Sequence, residues 1–203
     1  MSNRRAALTF DTEHPSRSQC PPGNEDRILD SLAASDARAT FFLQGRWVTA
    51  HPEVARRVAA EGHLVGNHSN HHAPMPLLTD EGITADVRGS EQRIRTTTGA
   101  DPRPWFRCPF GLGAEDPRVL AALDRLGYRN VGWDVMAADW EDGRVASDLV
   151  SDVLTGVRTR GDGAIVVLHS WPGPTSEALP GILAGLRKDG YELVTVDEVA
   201  DGR

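Results

Sequence analysis

Residues 39–67 read ATFFLQGRWVTAHPEVARRVAAEGHLVGN. The opening ATFFLQG is rich in aromatic and β-branched residues and stops at Gly45, which predicts a short strand. PEVARRVAAEG places Pro52 in a first helical turn, where its missing N–H costs nothing, and ends at Gly62. HLVGN then reads as a second short strand. Strands separated by a helix pair in parallel, because the crossover returns the chain to the same edge.

The same alternation extends in both directions. AALTFD (6–11) is an apolar run that ends in a carboxylate, and NEDRILDSLAAS (24–35) reads as a helix with Asn24 as N-cap. LTDEGITADVRGSEQRIRTTTG (78–99) is a long polar helix with Ile83, Val87 and Ile94 along roughly one face. WFRCPFG (105–111) is a strand running into a turn, and DPRVLAALDRLG (116–127) is a helix capped by Asp116 and stopped at Gly127. YRNVGWD (128–134) reads as a strand and 144–160 as a helix. AIVVLH (164–169) is a buried strand, SEALPGILAGLRKDG (176–190) a helix interrupted by Pro180, and YELVTV (191–196) the closing strand. About seven strand–helix units imply one α/β domain over residues 1–203, with a mainly parallel sheet. An open doubly wound sheet and a closed barrel both fit. Neither GxGxxG nor GxxxxGK[ST] occurs, so nothing points to a nucleotide fold.

Composition narrows the function. The 203 residues are 39% hydrophobic and 25% charged, with a formal net charge of -7. That balance, without any Lys/Arg-rich run, argues against a nucleic-acid partner. No apolar stretch approaches membrane-spanning length, and MSNRRAALTFD lacks the apolar core of a secretion signal. The expectation is a cytoplasmic protein with no membrane partner; a secreted protein trimmed of its leader reads the same way. Cys20 and Cys108 are expected to be free thiols, a single bridge between two loops being the minor alternative.

In such folds chemistry collects at the C-terminal ends of the strands. There the sequence delivers Asp11, His68, Arg107, Asp134 followed by Asp139 and Trp140, and His169. GNHSNHH (66–72) carries the strongest local signal: His68 and His72 are four apart, which on a helical turn places both imidazoles on one side, as a metal clamp requires. A His68/His71 pair and a solvated histidine loop are the alternatives. Asp11 suits a general base beside a metal-bound water, or a simple N-cap. Glu13 and His14 are further potential ligands, and strand alternation lets Asp11 and Glu13 share a face. His169 can protonate a leaving amine, its ordinary pKa allowing both forms near neutrality, or serve as a satisfied core residue. Arg107 can hold a carboxylate through two N–H groups. Trp140 and Trp171 can stack on sugar rings.

These pieces, in this order, resemble the polysaccharide deacetylase family, also called the NodB-homology domain or carbohydrate esterase family 4. TFDT (9–12) is similar to the family's TFDD, HSNHH (68–72) to H(S/T)xxH, RCPF (107–110) to RxPY, MAADW (136–140) to DxxDW and VLH (167–169) to LxH. The resemblance implies a distorted (β/α)7 barrel. It implies His68 and His72 as metal ligands, Asp11 as catalytic base, His169 as catalytic acid, and Arg107 as the residue orienting the base. It implies that Cys108, Pro109 and Phe110 form part of the groove wall, with a backbone amide near residue 108 holding the oxyanion. Trp140 and Val167 are expected to line the substrate, Val167 replacing the leucine of the family's acetyl pocket. The expected ion is divalent, Zn²⁺ first, with Co²⁺ or Mn²⁺ also suited to nitrogen and oxygen ligands. The implied substrate is an acetylated glycan such as chitooligosaccharide or peptidoglycan, losing an N-acetyl or O-acetyl group. A small-amide hydrolase and a non-catalytic glycan binder are the alternatives.

Two departures sharpen the expectation. Thr12 stands where the family has a metal-binding carboxylate, so Glu13 is expected to supply the missing oxygen, with His14 or a weakened site as alternatives. Met136 stands at the leading acid of DxxDW, so Asp134, two residues earlier on the same strand face, is the expected anchor of Arg107, and Arg107 with Asp134 or Asp139 is expected to set the orientation and pKa of the catalytic groups.

Overall fold

A computed structural model describes residues 4–13 and 20–200. The described residues divide into two compact units: one of residues 4–10, 20–40 and 133–200, the other of residues 11–13 and 41–132. Strand β1 (Arg4–Thr12) contributes to both, leaving the first unit after Phe10.

The first unit interleaves β1, helix α1 (Asn24–Ala34), β6 (Val135–Met136), α6 (Ala146–Arg160), β7 (Ala164–His169), α7 (Gly173–Lys188), β8 (Tyr191–Val194) and α8 (Val196–Ala200). Its strand order is β8–β1–β7–β6. Arg4 to Ala7 pair in parallel with Tyr191 to Val194, and Val135 and Met136 with Val166 and Val167. β7 is buried from Ala164 to Leu168, as expected of a strand covered on both faces. Helix α6 lies close beside β6 at Gly156, where a side chain would come within 2.4 Å of Val135. Pro180 does not interrupt α7, which runs unbroken from Gly173 to Lys188.

The second unit contains β2 (Thr40–Leu43), α2 (Gly45–Ala50), α3 (Pro52–Ala60), β3 (Leu64–Asn67), α4 (Asp80–Thr98), β4 (Trp105–Phe106), α5 (Pro117–Arg125) and β5 (Arg129–Asn130). Its order is β5–β4–β3–β2, with Asn67 opposite Phe106 and Trp105 opposite Arg129 in parallel. Met75, Ile83, Val87, Phe106, Val119, Leu123 and Tyr128 form one apolar cluster between α4, α5 and β4. The Asp116 carboxylate accepts the N–H groups of Arg118 and Val119, the cap read from the sequence.

Parallel strands alternating with helices make this the α/β class of a distorted (β/α) barrel, as expected. No helix among the described residues is long and apolar enough to cross a membrane. Besides the helix at Pro180, two local readings need correction. Asn24 is not a cap: Gly23 precedes the helix, and the Asn24 amide donates inward to the carbonyls of Ser170 and Pro172. YRNVGWD is not one strand. Pairing covers Arg129–Asn130, lapses through Val131, Gly132 and Trp133, of which only Gly132 is exposed, and resumes at Val135.

Candidate active site

In the second unit the end of β1 and the loops after β3 and β4 bring five residues together. Asp11 lies in the buried part of β1, one residue before its end, and Glu13, one residue past the strand, keeps the same face. Their carboxylates flank one imidazole: His68 Nε2 lies 3.8 Å from Asp11 Oδ2 and 3.9 Å from Glu13 Oε1. His72 Nε2 lies 2.8 Å from Glu13 Oε1 and 3.1 Å from His68 Nε2. Glu13, His68 and His72 are all buried, and their ligand atoms lie within 4.8 Å of one another.

The histidines do not converge on a helical turn. They sit in an irregular loop in which Ser69 and His72 take φ values of 60° and 57°, a left-handed conformation uncommon for residues with a side chain. Neighbouring contacts hold that loop. Gly45 N and Arg46 N, at the start of α2, donate to the carbonyls of Ser69 and Asn70. Asn67 Oδ1 accepts from Ser69 N, Ser69 Oγ accepts from His72 N, and Asp86 accepts from Asn70 N and His71 N. His71 turns outward, mostly exposed, with its Nδ1 2.6 Å from Asp86, so the pair facing Glu13 is His68/His72. Asn67 and Asp86 escaped the sequence reading, since an amide ending a strand and an acid inside a polar helix carry no distinguishing pattern.

The electrostatics favour a divalent ion. His68 Nδ1 lies 2.9 Å from the Arg107 carbonyl, which requires a proton on that nitrogen and leaves the Nε2 lone pair facing Glu13 and His72. Burial pushes the His72 pKa below its ordinary value against the pull of Glu13, favouring the neutral, ligating form. The donor distances of 2.8, 3.1 and 3.9 Å bracket the ~3.3 Å edge of a tetrahedron with bonds of about 2.0–2.1 Å. Two nitrogens and one oxygen therefore fit a metal centre. The Thr12 hydroxyl accepts from Gln44 N at 3.1 Å, so it serves the backbone while Glu13 faces the histidines. His14, the alternative nitrogen ligand, lies outside the described residues.

Arg107 is buried, its guanidinium stacked 4.1 Å from the Phe42 ring. Nη1 donates to Asp11 Oδ1 at 2.8 Å, while Nε and Nη2 donate to the carbonyls of Val131 and Gly132. Burial works against the guanidinium charge and Asp11 opposes that effect. One Asp11 oxygen is thereby engaged and the other directed toward His68.

The rest of RCPF departs from expectation. The Cys108 thiol belongs to the apolar cluster and is pushed up to about 12 by burial, so it faces the core and not a substrate. Its N–H donates to Asn130 Oδ1 at 3.0 Å, which removes it as an oxyanion donor. Pro109, also buried, has no N–H, and the next amide is that of Phe110. Phe110 is 60% exposed with its ring 4.4 Å from that of His72, a position at the rim. Both cysteines are free thiols.

In the first unit, Asp139 and His169 form a second cluster. Asp139 Oδ1 accepts from His169 Nδ1 at 2.8 Å, and Oδ2 accepts from His169 N at 2.7 Å. The Trp140 ring meets His169 edge-on at 5.0 Å and Trp171 lies at 6.3 Å. Val167 is buried on the face of β7 that also carries His169. Asp134 is a correction. It accepts from Arg160 Nε and Ile165 N, at the start of β7 and four residues from His169. Because β6 begins at Val135, Asp134 precedes the strand and occupies the end opposite His169. The anchor expected for Arg107 is supplied instead by Asp11 and two carbonyls.

A buried two-histidine, one-carboxylate cluster beyond the ends of parallel strands, with an arginine-bound aspartate beside it, defines a metal-binding α/β protein of hydrolytic type. The chain belongs to the polysaccharide deacetylase family, whose pattern matches residues 1–131. It is similar to the chitooligosaccharide deacetylase of Rhizobium leguminosarum bv. trifolii, 33% identical over 94% of this chain and 89% of that one. It is 30% identical to the peptidoglycan-N-acetylmuramic acid deacetylase PdaA of Bacillus subtilis over 95% of this chain and 70% of the relative. A CE4 family pseudoenzyme from Bacillus anthracis superposes with a TM-score of 0.86 at 27% identity, covering 97% of this chain and 65% of that structure. A mutant of that pseudoenzyme with restored enzymatic activity superposes equally well.

Proposed function

We infer that this chain is a metal-dependent hydrolase that removes acetyl groups from an amino-sugar oligomer or polysaccharide, with Zn²⁺ as its ion. The observation that carries this reading is the buried Glu13–His68–His72 donor set beside Asp11. Similarity to enzymes named for chitooligosaccharide and for peptidoglycan supports the substrate class. A bound divalent ion supplies Lewis-acid polarisation of the acyl carbonyl and acidifies water.

The protein's own groups are assigned as follows. Asp11 removes a proton from the attacking water, using the oxygen that faces His68. Arg107 holds the other oxygen, fixing the orientation of the carboxylate. The Phe110 amide is the donor assigned to the developing oxyanion. His169, with Asp139 holding its Nδ1 proton, delivers a proton from Nε2 to the leaving nitrogen. Trp140, 38% exposed, offers an aromatic face to a sugar ring.

Likeness to a pseudoenzyme gives a second reading, a glycan binder without turnover. Acetate release from N-acetylglucosamine oligomers, peptidoglycan fragments, acetylated xylan and cyclic amides, with and without Zn²⁺, separates the readings. The hydrolase reading expects metal-dependent release from an amino-sugar substrate and its loss in Asp11→Asn. Full activity in Asp11→Asn removes the base assignment. Glycan binding without release by the metal-loaded protein establishes the binder, and release from a cyclic amide alone moves the substrate to small amides.

A further inference from the structure

We propose that Thr175 is a positioning residue for the proton-delivering pair Asp139–His169. The assignment rests on the reading of His169 as the acid, and it concerns how that acid is tuned. Thr175 lies in the first turn of α7 and is fully buried. Its Oγ1 donates to Asp139 Oδ2 at 2.6 Å, since an ionised carboxylate can only accept. Among the described residues Asp139 thus receives three donors: Thr175 Oγ1, His169 N and His169 Nδ1.

The three donors have different consequences. The two from His169 align the carboxylate with the ring and hold the proton on Nδ1. The third comes from another element and draws carboxylate charge onto the Oδ2 that the backbone N–H also uses. A carboxylate with one donor fewer carries more localised charge and holds the imidazolium proton more tightly. Thr175 therefore restrains the basicity of His169, keeping it ready to release a proton to a leaving amine. Asp139 is a charged side chain in hydrogen-bond contact with His169, and Trp140 and Trp171 present uncharged rings. Thr175 is itself pinned, its N–H donating to the Pro172 carbonyl at 3.2 Å. That fixes the start of α7 relative to the Ser170–Pro172 turn that follows His169, a turn held also by Asn24.

The test compares wild type, Thr175→Val and Thr175→Ser, all as full chains. The His169 imidazole is titrated by ¹⁵N-resolved NMR, a readout independent of turnover. The expected result is a His169 pKa raised by about half a unit or more in Thr175→Val, returning to the wild-type value in Thr175→Ser. Equal pKa values in all three proteins overturn the proposal, as does a downward shift in Thr175→Val. A second arm measures acetate release. With an active wild type, Thr175→Val is expected to lose about tenfold in kcat with little change in KM, its alkaline limb moving upward, and Thr175→Ser to recover both. An inactive wild type removes the hydrolase reading, while the titration still decides the role of Thr175. Loss of folding in Thr175→Val leaves the decision to Thr175→Ala: a raised His169 pKa there supports the proposal, and an unchanged one overturns it.

Discussion

Cutting the Arg107 guanidinium away is expected to destabilise the protein through Asp11 more than through lost packing. The side chains of Arg107 and Asp11 are 1% and 5% exposed, so neither charge falls back on solvent when its partner is removed. Leaving one member of a buried pair uncompensated costs about 3–5 kcal/mol. In Arg107→Ala the carbonyls of Val131 and Gly132 lose donors as well. For a chain of this size that corresponds to a fall in Tm of about 10 °C. Arg107→Lys keeps a charge for Asp11 but cannot span two carbonyls and a carboxylate together, and is expected to lose about 1–3 kcal/mol. Urea unfolding followed by tryptophan fluorescence, with a chelator present, measures both without metal linkage. The decisive quantity is the coupling in a double-mutant cycle of Arg107→Ala with Asp11→Asn, expected at about 1.5 kcal/mol or more. A coupling below about 0.5 kcal/mol would refute the pairing as the basis of Asp11 orientation.

Three further outcomes follow from the same structure. Cys20 and Cys108 are both pushed up to about 12, burial being the largest cause in each case. Native thiol labelling at pH 8 should therefore run about a thousandfold slower than in urea, and two thiols reacting at the rate of free cysteine would contradict the burial. The His72 pKa is lowered by burial, so below about pH 6.5 the unfolded chain takes up a proton that the folded one resists. Metal-free protein should lose stability as pH falls from 7.5 to 5.5, by up to about 1.4 kcal/mol per pH unit from this group, and His72→Gln should lose less. Asn67→Ala, which removes the acceptor for Ser69 N and a donor to Val87 O, should weaken metal binding about 10–100-fold by calorimetry while the second unit stays folded. Unchanged affinity would show that the loop is held without it.

Much of the fold was legible because parallel α/β units carry strong punctuation. Pro52 and Gly62 bound α3, Asp116 caps α5, and Gly99 ends α4 in a left-handed conformation. The stretch 128–134 misled because Val131 and Trp133 alternate as a strand should, while pairing lapses there and begins again at Val135. That displacement carried Asp134 to the wrong end of β7. Glu13 was legible from the carboxylate missing at Thr12 together with strand alternation, since the face set by Asp11 persists one residue past the strand. The His68/His72 spacing was legible for a different reason from the one that operates: the rings meet through two left-handed residues and not through a helical turn. Asn67, Asp86, Asn130 and Thr175 act through long-range hydrogen bonds, which no local periodicity encodes.

The central claim is that Glu13 supplies the carboxylate that Thr12 lacks. Calorimetric Zn²⁺ titration of wild type and Glu13→Gln at pH 7.5 tests it directly, because the substitution keeps shape and removes charge. The expected result is one ion per wild-type chain and an affinity at least about a hundredfold weaker in Glu13→Gln, a loss of about 2.7 kcal/mol. Equal affinity in the two proteins would contradict the Glu13–His68–His72 centre.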